Sequence, residues 1–128
     1  MKFELDQSAR HLAVRAYDAD GFLVGDHRIT RPVVLSGERI DLDLLPAHFG
    51  LIEDQHIEQL CALRPDLLLF GTGPRQQFLP QPLMARILER GIGCETMDTA
   101  AACRSYNVLI AESRAVAAAL FMLRAPAA

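Results

Sequence analysis

Two rhythms of apolar and polar positions divide the chain. In HLAVRAYD (residues 11–18), Leu12, Val14 and Ala16 alternate with His11, Arg15 and Tyr17, the period of a half-buried strand. An Asp20-Gly21 turn follows, then FLVGDHRIT resumes extended chain, which predicts a hairpin. Two further strands are predicted, VVLS after Pro32 and IDLDL with Ile40, Leu42 and Leu44 alternating, separated by a Ser36-Gly37 turn.

From residue 51 the period lengthens. DQHIEQLCALRP places Ile57, Leu60 and Cys61 on one helical face, with acids at its start and Pro65 beyond its end. LLLF (67–70) is a continuous apolar run, expected of a parallel strand covered on both faces. LPQPLMARILERG carries proline near a helix start, Leu83, Met84, Ile87 and Leu88 for packing, and Gly91 as its stop. IGCETM predicts a short strand, and DTAAACRSYNVLIAES a helix opened by cap residues. The final segment, VAAALFML (116–123), has alanines that favour helix, yet it is apolar on every side, as a central strand is. It is assigned as strand, neighbouring 66–70 and 93–97 in one sheet.

These elements predict a single α/β domain over residues 1–128. It is mainly β over 1–45 and alternates helix and strand over 51–123, with right-handed crossovers and a frayed tail at 125–128. The length suits one continuous core. Composition is globular, 51% hydrophobic and 23% charged. A net charge of −3 without a basic run argues against nucleic acid as a partner. Cys61, Cys94 and Cys103 are odd in number and lack CxxC spacing, which predicts free thiols in a reducing compartment. No apolar run reaches membrane-spanning length, and MKFELDQSAR has no signal-peptide core. The expectation is a soluble, cytoplasmic protein without membrane insertion.

The chemistry-bearing stretch is DLLLFGTGPRQQFLP (66–80). Gly71 and Gly73 match the first two positions of a dinucleotide fingerprint, but Gln76 stands at the third. A Walker loop needs Gly-Lys-Ser/Thr where this chain has Gln76-Gln77-Phe78. Both phosphate cradles are therefore excluded. What remains is geometric: parallel strands ending at Phe70 and Met97 put Gly71-Thr72-Gly73-Pro74-Arg75 and Asp98-Thr99 on one rim. That rim predicts a small polar site, with Arg75 and a helix start able to hold an anion. The competing reading is a tight turn, a helix cap and a solvated arginine.

Other constellations are weaker. Cys103 lies near a helix start, which lowers a thiol pKa, but no histidine is tied to it by spacing, so it reads as a small buried side chain. His56 and Cys61 share a helix without further ligands, so no metal or other cofactor is expected. Asn107 reads either as a partner for backbone groups near a loop or as a lining residue of the cleft.

Taken together, MDTAAACRSYNVLIAESRAVAAAL (97–120) and FGTGPRQQFLP resemble the small-domain family that includes the mitochondrial respiratory complex I assembly factor 3 and the adipogenesis-associated Mth-domain protein of animals. The resemblance spans most of the chain. It implies a three-layer fold with a mixed central sheet, helices on one side and an additional β-layer on the other. The matching motif positions are Gly71, Thr72, Gly73, Met97, Asp98, Thr99, Ala102, Tyr106 and Asn107, which have no established catalytic role in the family. The expected function is a noncatalytic interaction or assembly-type protein whose partner docks at the rim. The alternative is a small-molecule enzyme or anion-binding protein at the same place, with Asp98 as acid or base.

Overall fold

The computed structural model describes residues 12–124, so the first residue of the expected opening strand and the expected frayed tail lie outside it. The first three strands, β1 (Val14–Asp18), β2 (Gly21–Val24) and β3 (His27–Ile29), form an antiparallel meander. FLVGDHRIT is thus two strands rather than one, because Gly25 takes φ +58 and turns the chain between them. The next strands, β4 (Val33–Leu35) and β5 (Ile40–Asp41), leave this meander and join a second sheet. IDLDL is extended only at its first two residues.

The chain then makes a short 3-10 turn at Phe49–Leu51 and enters α1 (Asp54–Cys61). Its start is closed by His56, whose Nδ1 accepts the Glu53 amide at 2.9 Å. There follow β6 (Leu67–Gly71), α2 (Gln81–Glu89), β7 (Gly93–Met97), α3 (Thr99–Ala111) and β8 (Val116–Leu120). The strand order of the large sheet is β5-β4-β8-β6-β7. β6 is parallel to both β7 and β8, and β4 is antiparallel to β8, so the sheet is mixed.

Strand order decides the layers. From β6 to β7 the chain steps outward, carrying α2 over one face. From β7 to β8 it steps back past β6, and a right-handed crossover in that direction must place α3 over the other face. The cores follow suit. On one face Ile57, Leu60, Leu83 and Ile87 pack on Leu68, Phe70, Ala117 and Ala119. On the other, Cys103, Tyr106 and Ile110 join Phe22, Val24 and Ile29 of the small sheet against Leu69, Ala118 and Leu120. The expected mixed α/β fold with an additional β-layer is what the molecule has. The layering differs in one respect: α3 shares its face with the small sheet instead of lying beside α1 and α2.

The alanines of β8 make sense in this sandwich. Ala117, Ala118 and Ala119 are fully buried at the sheet centre, and small side chains there let both layers approach. Burial overrides their helix propensity.

Candidate functional site

The predicted rim exists as one structure, and its two loops bind each other. The Thr72 amide donates to the Met97 carbonyl at 2.8 Å, and the Thr99 amide to the Gly73 carbonyl at 2.9 Å. Thr99 Oγ1 accepts the Gly73 amide at 2.8 Å and donates to the Phe121 carbonyl at 2.8 Å. Thr72 Oγ1 donates to the Arg75 carbonyl at 2.6 Å and accepts the Gln77 amide at 3.0 Å. Both threonines are buried. The carboxyl ends of β6, β7 and β8 are therefore tied by two hydroxyls.

The glycines serve this knot. A Cβ on Gly71 would stand 3.0 Å from Thr99 Oγ1 and 3.1 Å from both Ala102 Cβ and Leu120 Cδ2, closer than packed atoms sit. Gly73 adopts φ +110, a conformation that side chains oppose. Asp98 caps α3 by accepting the Ala101 amide at 2.9 Å. The Thr99 and Ala101 amides, which an anion at this helix start would seek, already have acceptors.

Above the knot lies a cleft of about 860 Å³, outside the carboxyl ends of the strands. Phe49 and Phe121 form an aromatic floor, meeting edge to face at 5.8 Å, and Phe49 also meets the fully buried Phe70 at 6.2 Å. Leu51, 54% exposed, lines one wall. Arg75 stands on the rim, and among the described residues no carboxylate pairs with it. Opposite, Arg124 pairs with Asp20 at 2.6 Å.

Asn107 lies away from the rim. Its Oδ1 accepts the Val14 amide and its Nδ2 donates to the Val14 carbonyl, both at 2.8 Å, so the side chain acts as an extra strand partner for β1. The neighbouring Tyr106 hydroxyl donates to the Leu12 carbonyl at 2.9 Å and accepts the Gly37 amide at 3.2 Å. Together these two residues fix the small sheet, whose Ala19–Asp20 turn forms the far wall of the cleft.

Three free thiols are present, as expected. Burial pushes the Cys103 thiol up to about 12 and Cys94 up to about 11, and raises Cys61 as well. All three are protonated at neutral pH, which leaves no thiolate nucleophile. Burial also lifts Tyr106 to about 12. Among the described residues no three His, Cys, Asp or Glu side chains cluster as metal ligands, and no helix is long and apolar enough to cross a membrane.

Sequence reasoning missed the other half of the cleft. Phe49, Leu51, Asp20 and Arg124 come from three separate segments. The available signal was the pair of large apolar residues in AHFGL, a stretch with no helix or strand period.

Comparison with known proteins agrees with this architecture. The family described as "Protein of unknown function (DUF498/DUF598)" matches residues 14–121. The chain is 29% identical over 118 residues to "NADH dehydrogenase [ubiquinone] 1 alpha subcomplex assembly factor 3" of Xenopus tropicalis, a match covering 88% of this chain and 62% of that protein. It is 36% identical over 105 residues to an uncharacterised protein of Rhodobacter capsulatus, covering 82% and 84% of the two chains. A "13 kDa major membrane protein" of Francisella tularensis is 32% identical over 65 residues, 51% of this chain and 53% of that one. Among solved structures, a Bordetella pertussis protein described as a Mth938-like domain superposes with a TM-score of 0.78 at 26% identity, covering 91% of this chain and 88% of that one.

Proposed function

The chain belongs to the family described as protein of unknown function (DUF498/DUF598), and on that premise we propose that it is a noncatalytic protein-interaction module of the assembly-factor type. Its partner docks in the cleft above the Gly71–Arg75 and Asp98–Thr99 loops. The observation that carries this reading is the cleft's composition: an aromatic floor, an exposed leucine wall and one guanidinium that no carboxylate pairs with among the described residues. Such a surface suits an apolar anchor with a carboxylate beside it.

The names of the animal relatives support the assembly part of the reading. The chain spans 62% of the length of those relatives, so the role proposed is that of the shared domain. The alternative, catalysis or anion binding at the rim, draws less support. The threonine hydroxyls and the Thr99 and Ala101 amides of α3 are engaged inside the protein, and the thiols are protonated. In the favoured reading Gly71, Thr72, Gly73, Asp98 and Thr99 hold the rim in shape, Arg75 meets the partner, and Asn107 holds the far wall.

The test is affinity purification from the producing cell with three chains: unaltered, Leu51→Asp and Arg75→Glu. A stoichiometric protein partner should accompany the first and be lost from the other two, at unchanged melting temperature. Equal retention by all three, or a melting temperature raised by a small carboxylate or phosphate instead, refutes the reading.

A further inference from the structure

Among the described residues β7 is an outer strand of the large sheet, and its backbone points half its polar groups away from that sheet. The Gly93 amide donates to the Asp66 carbonyl at 2.9 Å, and the Met97 carbonyl accepts the Thr72 amide at 2.8 Å. Gly93, Glu95 and Met97 therefore direct their backbone groups inward to β6. In an extended strand successive residues alternate, so those of Cys94 and Thr96 face outward. On that outer side, among the described residues, the one partner is Gln76 Nε2, 3.0 Å from Thr96 Oγ1 and 3.5 Å from the Thr96 carbonyl. The edge carries no proline or lysine and, in β7, no break in its register with β6, the devices that usually protect such an edge.

Beside this edge runs a groove of about 410 Å³ between β7 and α3. Met97, Leu69 and Leu109 supply apolar walls, and Val108 stands 58% exposed on its lip. Arg104 and Arg114 flank it, with Glu95 the one acid. Arg104 binds the Tyr17 hydroxyl at 2.9 Å, and among the described residues neither arginine pairs with a carboxylate.

We infer that β7 accepts an added strand, and that the occupant is an extended acidic segment of another protein. Its backbone pairs with Cys94 and Thr96, one apolar side chain enters the groove, and its carboxylates meet Arg104 and Arg114. Main-chain pairing supplies affinity and the side-chain positions supply choice. Charge selects the occupant: two guanidiniums that no carboxylate pairs with among the described residues, against one carboxylate in the groove, favour acidic residues. A second copy fits less well, since antiparallel β7 pairing centred on Glu95 sets two carboxylates face to face. This second surface is separate from the cleft, so the protein bridges two partners.

The experiment is selection of displayed random decapeptides on the immobilised chain, with counter-selection on Thr96→Pro. Proline there removes the outward amide and is tolerated at sheet edges. Enriched peptides should alternate apolar with other residues, carry Asp or Glu, and slow hydrogen exchange at the Cys94 and Thr96 amides. Arg104→Glu combined with Arg114→Glu should weaken their binding about tenfold or more, whereas Arg75→Glu leaves it unchanged. The double arginine variant decides alone if Thr96→Pro does not fold. Four outcomes overturn the inference: no enrichment, enriched basic peptides, protection at the cleft, or self-association that the double arginine variant abolishes.

Discussion

The Gly71–Arg75 loop has two sides that use the same chemistry for opposite ends. Inward, Thr72 and Thr99 exchange hydrogen bonds with backbone groups of three strand ends and are buried. Outward, Arg75 borders the cleft, beside an aromatic floor built from Phe49 and Phe121. The inner side is saturated, so its polar groups serve stability. On the outer side Arg75 has no carboxylate partner among the described residues, and in the proposed reading it serves recognition. A polar residue at the end of a parallel strand is thus not by itself a binding group; what matters is whether the fold has already given it partners.

The sharpest way to break this distinction is Thr99→Val. It keeps the shape but strands the Gly73 amide and the Phe121 carbonyl in a dry interior, at about 1–3 kcal/mol each. Urea unfolding should show a loss of ~2–6 kcal/mol, and Thr99→Ser should recover most of it. A loss below 1 kcal/mol would mean the knot does not hold the strand ends.

The second prediction uses pH. The knot's hydroxyls do not titrate, whereas Cys103, Cys94 and Tyr106 do, from raised values of about 12, 11 and 12. Groups raised on folding contribute stability that is complete below their unfolded values and is lost as pH climbs through the folded ones. Stability should be level to about pH 8 and fall by roughly 3–4 kcal/mol by pH 10, the unfolded chain releasing protons that the folded one retains. Cys103→Ala should flatten this slope, as read by urea midpoints at pH 8 and pH 10.5.

Asp98→Ala comes third. Loss of the α3 cap should cost about 1 kcal/mol and leave partner binding intact. The smallest effect on stability belongs to Arg75→Ala, within about 0.5 kcal/mol, since its side chain lies at the surface. Its effect on partner retention should be the largest of the four. If Arg75→Ala unfolds the protein while binding persists, the two sides of the loop have been assigned the wrong way round.

Much of this was legible before the fold. The run LLLF, the helix Gln81–Glu89 between its proline start and Gly91, and the capped helix from Asp98 are local signals, each strong over its own length. Once two parallel strands are recognised, Gly71–Arg75 and Asp98–Thr99 must share a rim, because successive parallel strands end on one edge. VAAALFML is balanced between alanine helix propensity and an all-apolar strand; the strand forms over Val116–Leu120 and stops short of the expected residue 123.

What the sequence by itself determined, then, is the helices and parallel strands of the second half and the meeting of these two loops, for periodicity, caps and strand direction are properties of contiguous residues. The tertiary structure alone decided the rest. Strand order β8-β6-β7 reverses the chain's path across the sheet, and only that reversal puts α3 on the face of the small sheet. The choice between a ligand-facing and an internally paired threonine depends on Phe121, which lies 22 residues from Thr99. The cleft needs Asp20, Phe49 and Arg124 brought together from distant segments. Such contacts are selected by burial over the whole chain, and no local pattern records them.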